Sequence, residues 1–216
     1  MEQRKRIVVF GATGRTGEHV LTQSLEEGYD VIAYVRNPTK LSLQHARLTI
    51  MQGDIFNEEQ VHHAIEGSDA VLCALGVPMG SKLPVCSVGT QNIIQAMKRN
   101  GVNRLIVITG LGVKRTRGDI NWFERAFLTL FLCLDQAAAD DKEIQEDLIE
   151  ESQLDWTILR PPWLTHGKKT SRYRVGMGES VHPTLISRIS RRDLAECMVQ
   201  QITDRTFIRQ APYVMY

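Results

Sequence analysis

A doubly wound parallel α/β sheet is the fold this sequence predicts, and three observations predict it. Six apolar runs recur along the chain: Ile7–Phe10, Val31–Val35, Leu48–Met51, Ala70–Leu75, Leu105–Thr109 and Trp156–Leu159. Runs this short and continuous suit strands buried on both faces. Helical stretches lie between them at about 18–27, 57–66, 87–100 and 137–152, with Gly28, Gly67 and Gly101 placed to cap carboxyl ends. The first run leads directly into a glycine turn, Gly11-Ala-Thr-Gly14-Arg-Thr-Gly17, that opens the first helix. Strands and helices alternating with right-handed crossovers bring ligands to the carboxyl ends of the strands. Functional residues are therefore expected directly after each strand.

After the first strand, three glycines allow a tight turn, close approach of backbone amides and packing of helix on strand. The helix N-terminus adds unpaired N–H groups and a favourable dipole, which suits a dinucleotide pyrophosphate and makes the sheet Rossmann-type. The spacing is G-x-x-G-x-x-G rather than the commoner G-x-G-x-x-G, so the alternative is a turn that needs small residues and binds nothing. The second strand decides against that alternative. It ends Tyr34-Val35-Arg36-Asn37-Pro38-Thr39-Lys40, and Arg36 stands where NAD-preferring domains place an acid for the ribose 2′-hydroxyl. A guanidinium is the natural partner of a 2′-phosphate. Lys40 adds a second positive charge and Arg15 can cover the adenine or the same phosphate, so NADP(H) is expected over NAD(H). For all three cations the alternative is a solvated surface position.

The third strand ends Gly53-Asp54-Ile55. Asp54 either bonds the adenine amino group, with Ile55 packed on the ring, or caps the following turn. Asn57 with Gln60, and Ser190 with Asp193, read as capping boxes. The fourth strand ends Ala74-Leu75-Gly76, where Gly76 lets backbone approach the cofactor ribose. The fifth ends Ile108-Thr109-Gly110, beside the nicotinamide. The sixth ends Leu159-Arg160-Pro161-Pro162-Trp163, a rigid corner beneath the carboxamide.

Composition narrows the function classes. At 216 residues the chain fits a single domain, 1–216, with a small C-terminal annex on the substrate side. Its 26 basic and 25 acidic side chains leave a net charge of +1, so no global field points to nucleic acid or an anionic membrane. Cys73, Cys86, Cys133 and Cys197 are scattered through mostly apolar contexts and read as reduced, buried thiols of a cytoplasmic protein. The first six residues run directly into the first strand, leaving no room for a signal peptide, and the densest apolar run, Ala126–Leu134, is too short to span a bilayer. His62, His63, His166 and His182 have no metal-ligand partners at useful spacing, so no metal is expected.

These features together resemble the atypical short-chain dehydrogenase/reductase group, most of all its NAD(P)-binding, NmrA-like proteins, with the flavin reductase type of biliverdin reductase as a close relative. The resemblance is carried by Val9–Gly17, Val35–Lys40, Gly53-Asp54, Asn92–Met97, Asp141-Lys142, Leu154–Pro162 and Ile189–Ala195, and so covers most of the chain. It implies a reductase that takes hydride from NADPH and delivers it to a planar acceptor such as a flavin, a quinone or a tetrapyrrole. It also implies cofactor contacts from Gly11, Thr13, Gly14, Arg15, Thr16, Gly17, Arg36, Asp54, Leu75, Gly76, Pro161 and Pro162. The chemistry departs from the pattern at three places. A serine follows the fifth-strand threonine in the flavin reductase relatives, where this chain has Gly110; their histidine after the double proline is Trp163 here; and Ala138 stands where the tyrosine of a Tyr-x-x-x-Lys pair would precede Lys142.

Hydride transfer between two planar rings depends chiefly on holding them together, so it tolerates the loss of a dedicated acid. Lys142 is the candidate proton donor, or else an exposed helix lysine paired with Glu146 at i+4. Thr109 orients the carboxamide or a substrate oxygen, or else bonds to backbone at the strand end. Gly110 and Trp163 are expected in the substrate pocket, Trp163 stacking on the acceptor or walling the core. Arg191 and Arg192 read as a solvated helix start. An apolar insertion at about 111–141 carries Phe123, Phe127 and Phe131 at helical spacing, which suits core packing, a pocket wall, a lid, a homodimer interface through 122–134 or a peripheral membrane contact. Ahead of it, Lys114, Arg115 and Arg117 bind an anionic substrate tail or keep a loop soluble. The expected function is an NADPH-dependent oxidoreductase with a small-molecule planar acceptor; the alternative is a catalytically weak NADP(H) sensor reporting through a protein contact.

Overall fold

Six strands form one all-parallel sheet in the computed structural model, which describes residues 4–77, 81, 83–111, 136–178, 180–184 and 186–216. They are β1 (Arg6–Phe10), β2 (Asp30–Val35), β3 (Leu48–Gln52), β4 (Ala70–Cys73), β5 (Arg104–Ile108) and β6 (Asp155–Leu159), in the order β3-β2-β1-β4-β5-β6. The helices are α1 (Gly17–Glu26), α2 (Glu58–Ile65), α3 (Val85–Asn100), α4 (Gln136–Glu151) and α5 (Arg191–Gln200). This is the predicted Rossmann-type doubly wound sheet.

The two-residue period of β1 explains why its run is continuously apolar. Ile7 and Val9 pack with Val20, Leu21 and Leu25 of α1 and Leu194 and Met198 of α5. Val8 and Phe10 face the other way, onto Val61 and Ile65 of α2, Ile93 and Met97 of α3, and Ile149 of α4. With helices on both faces, neither set can be polar. At β3 the expectation of a doubly buried strand fails, because Thr49 and Ile50 are exposed. β3 is the edge of the sheet, paired with β2 alone.

Beyond β6 the chain builds the small annex. β7 (Trp163–Thr165) pairs in parallel with β9 (Arg188–Ser190), and β8 (Arg174–Gly176) pairs antiparallel with β10 (Tyr213–Met215). Bridges from Thr157 to Gln210 and from Arg160 to Tyr213 tie the tail to the last strand of the main sheet. Cys73, Cys86 and Cys197 are free and buried, and burial pushes their thiols up, to about 11 for Cys73 and about 12 for Cys197. Cys133, the basic cluster 114–117 and the 122–134 stripe lie outside the described residues. Among the described residues no helix is long and apolar enough to cross a membrane.

Candidate functional site

The strand order reverses between β1 and β4, which opens a crevice beyond their carboxyl ends. Gly11 makes the turn there. Its φ is +78°, and a Cβ would run into the Ala74 carbonyl just past β4, so the position admits only glycine. Gly14 N–H donates to the Gly11 carbonyl at 2.9 Å, and a Cβ on Gly17 would strike that same carbonyl, so α1 sits directly on the turn. Gly14 differs from both. It is exposed, and a Cβ there would come no closer than 3.1 Å to the Gly11 carbonyl, its one neighbour, so the fold itself leaves more room at this position. Thr16 is the N-cap of α1 and makes no side-chain cap hydrogen bond; Glu18 N–H donates to the Gly14 carbonyl at 2.9 Å and His19 and Val20 N–H to the Thr16 carbonyl at 3.0 Å, so the helix start is closed on the turn itself.

Positive charge gathers around this turn. Arg15 is exposed, as are Arg36 and Lys40 past β2, where Asn37 Oδ1 accepts from Thr39 N–H at 3.0 Å and shapes the chain between them. Arg192 is solvated as expected, but Arg191 is not. It is 8 % exposed, Nη1 donates to the Leu164 carbonyl at 3.2 Å, and burial, then the charge of Arg15, lowers its guanidinium pKa. Gln23 of α1 donates to the Arg192 carbonyl at 2.9 Å and holds α5 against α1, which brings Arg191 toward the glycine turn. Among the described residues no carboxylate forms an ion pair with Arg15 or Arg191. An exposed glycine and unneutralised guanidinium groups at a helix N-terminus fit the diphosphate of a dinucleotide.

At the third strand the turn-capping role is the one observed. Asp54 Oδ1 accepts from Phe56 N–H at 3.1 Å, its carbonyl accepts from Tyr34 Oη at 2.9 Å, and its N–H donates to Gln60 Oε1 at 2.9 Å. Burial, then the Asp54 charge, pushes the Tyr34 hydroxyl up to about 12. Gln60 is thereby taken from the expected capping box, whose other half survives: Asn57 Oδ1 accepts from Gln60 N–H at 3.1 Å. Ile55 and Leu75 side chains converge on Gly89 of α3, where a Cβ would collide with Ile55.

The other end of the crevice is built from α4. Asp141 is 5 % exposed and accepts from Cys86 N–H at 2.8 Å and Ser87 N–H at 2.9 Å, together with the Ser87 hydroxyl. It caps α3, whose own N-cap residue is Pro84. Glu146, fully buried, accepts from Thr109 Oγ1 at 2.6 Å and forms an ion pair with Arg160 through Nε at 3.2 Å and Nη2 at 2.6 Å. Two expectations are corrected by this cluster. Lys142 cannot pair with Glu146, whose carboxylate is filled by Arg160 and Thr109, and Lys142 is half-buried rather than exposed. The Thr109 hydroxyl goes to a carboxylate and not to backbone. Lys142 lies one turn before Glu146 on α4, and its charge acts on the thiols of Cys73 at the end of β4 and Cys86 at the start of α3.

The remaining predicted residues cluster at the same strand ends. The Pro161 carbonyl accepts from Leu111 N–H at 2.9 Å, Pro161 and Pro162 are buried, and Trp163 is 41 % exposed. A Cβ on Gly76 or Gly110 would meet none of the described atoms within 4 Å. Sequence reasoning missed Glu146, Arg160, Asp141 and Arg191.

Known proteins share this fold. An uncharacterised chloroplast protein of Arabidopsis thaliana is 29 % identical over 197 residues, 85 % of this chain and 68 % of that protein. A short-chain dehydrogenase/reductase of Veillonella parvula, solved in complex with NADP, superposes with a TM-score of 0.79 at 21 % identity over 98 % of this chain and 94 % of that one. The anaerobilin reductase ChuY of Escherichia coli O157:H7 superposes with a TM-score of 0.78 at 20 % identity, covering 97 % and 96 %. These two show the shared fold. A profile described as NAD(P)H-binding matches residues 11–205, and the chain belongs to that NAD(P)H-binding family.

Proposed function

We propose that this protein is an NADPH-dependent oxidoreductase that passes hydride to a small planar acceptor such as a flavin, a quinone or a tetrapyrrole. The observation that carries the cofactor choice is Arg36, exposed directly past β2 where an NAD-type acid would stand, with Lys40 beside it. Gly11, Thr13, Gly14, Arg15, Thr16 and Gly17 hold the pyrophosphate, with Arg191 as an added cation. Asp54 and Ile55 border the adenine, Leu75 and Gly76 the ribose, and Thr109, Pro161 and Pro162 the nicotinamide. A bound dihydronicotinamide supplies the hydride. Gly110 and exposed Trp163, at the ends of β5 and β6, take the flat acceptor, and Lys142, one turn before Glu146 on α4, delivers a proton. The structural neighbour ChuY is an anaerobilin reductase.

The test is a screen of NADPH oxidation with FMN, FAD, quinones, linear tetrapyrroles and simple aldehydes, run beside calorimetric binding of NADPH and NADH. Turnover of a planar acceptor and not of aldehydes is expected. Arg36→Asp is expected to weaken NADPH at least about tenfold more than NADH; equal weakening refutes the NADP assignment. Tight NADPH binding with no turnover of any acceptor moves the reading to an NADP(H) sensor.

A further inference from the structure

The Thr109 hydroxyl carries one proton and two lone pairs. Glu146 is fully buried and acts only as an acceptor in its ion pair with Arg160, so the 2.6 Å bond between Thr109 and Glu146 uses the threonine's proton. The arrangement is over-determined. Arg160 reaches both carboxylate oxygens, its backbone N–H donates to the Pro212 carbonyl at 3.0 Å, and Thr109 N–H donates to the Leu159 carbonyl at 3.0 Å. Arg160 holds the Glu146 carboxylate in place, and a Thr109 hydroxyl turned away would leave one of its buried lone pairs without a donor.

We propose that Glu146 is a positioning residue that makes Thr109 a pure hydrogen-bond acceptor at the end of β5, so that this point selects an N–H donor, the carboxamide N–H of a nicotinamide, and disfavours a carbonyl. This rests on the cofactor reading above and adds which group of that cofactor the site recognises. A serine in place of Thr109 keeps the same polarity, whereas a valine removes it. Replacing the Glu146 carboxylate with an amide lets its NH₂ donate to Thr109 Oγ1, which frees the threonine proton to point into the crevice. The site's preference then collapses or inverts.

The experiment compares binding of NADPH with its reduced 3-acetylpyridine analogue, in which a methyl ketone replaces the carboxamide, by calorimetry on the full chain. Wild type and Thr109→Ser are expected to bind NADPH about tenfold or more tighter than the analogue; Thr109→Val and Glu146→Gln are expected to bind the two within about twofold. A purely structural role for Glu146 would weaken both nucleotides alike and leave their ratio unchanged. A preserved ratio in Thr109→Val or in folded Glu146→Gln overturns the proposal, as does a wild type that binds both equally. If Glu146→Gln does not fold, the Thr109→Ser and Thr109→Val pair decides. A wild type that binds neither nucleotide refutes the cofactor reading itself, a separate result.

Discussion

The two ends of the crevice recognise by different means. At the glycine turn the backbone makes the surface: Gly11 is forced by the Ala74 carbonyl, Gly17 by the Gly11 carbonyl, and the cations around them are mostly solvated. At the ends of β5 and β6 the surface is made by side chains fixed from behind, with Asp141 and Glu146 of α4 buried against α3, Thr109 and Arg160. A backbone cradle can lose its ligand contacts and keep its fold, because its clearances are local. A buried charge cluster cannot, because each member satisfies the others. Stability and recognition are therefore separable at the first end and joined at the second.

The largest test of that difference is Arg160→Met. It leaves the Glu146 carboxylate buried with only the Thr109 hydroxyl, and urea unfolding should show a loss of about 3–5 kcal/mol. A loss under about 1 kcal/mol would mean that water reaches the pair and that the two ends are not built differently. Next is Gly14→Val. Its side chain would occupy the space proposed for the pyrophosphate, and NADPH affinity should fall a hundredfold or more, about 2.7 kcal/mol by the affinity scale. The midpoint of unfolding should fall less than in Gly17→Val, whose Cβ would strike the Gly11 carbonyl, because at Gly14 that carbonyl lies 3.1 Å away and must give by only a few tenths of an ångström. Unchanged binding in the calorimeter would remove Gly14 from the site.

The same difference explains what the sequence showed. The parallel sheet, its helices and the glycine turn are written in contiguous residues: a β-branched run, then three glycines at fixed spacing, then an amphipathic helix. Arg36 was readable because its place is counted from the end of one strand. Glu146 was not. Its partners lie 14 and 37 residues away, and Asp141 caps amides 54 and 55 residues away, so no local period displays them. Along α4 those carboxylates resemble an ordinary solvated face, and only the placement of α4 against β5 and α3 turns them inward. Arg191 was missed for a related reason: α5 meets α1 through Gln23, 169 residues from the carbonyl it bonds. Gln60 shows the limit at short range, where a correct capping motif lost its side-chain arm to Asp54.

A third buried carboxylate extends the comparison to pH. Asp193, wholly buried at the start of α5, accepts from Tyr216 Oη at 2.6 Å, Thr170 N–H at 2.7 Å, Thr170 Oγ1 at 2.9 Å and Ser171 N–H at 2.9 Å, so it ties the annex loop and the C-terminal residue to the sheet. Burial alone would raise its carboxyl, but those donors together outweigh burial and hold it below the ordinary value of 3.8. A carboxyl depressed in the folded state contributes stability that is fully present above its unfolded value and is lost as pH falls through the folded one. Asp193→Asn should therefore cost about 1.5–3 kcal/mol at neutral pH, the worth of a hydrogen bond to a charged acceptor. The gap to wild type should hold down to about pH 4 and close below it, as protonation brings the wild-type side chain nearer to the amide. Denaturant unfolding of both proteins from pH 7 to pH 2.5 measures this directly. A gap that stays constant across that range would show that Asp193 acts through shape and not through charge, and would confine the charge-built part of the molecule to α4.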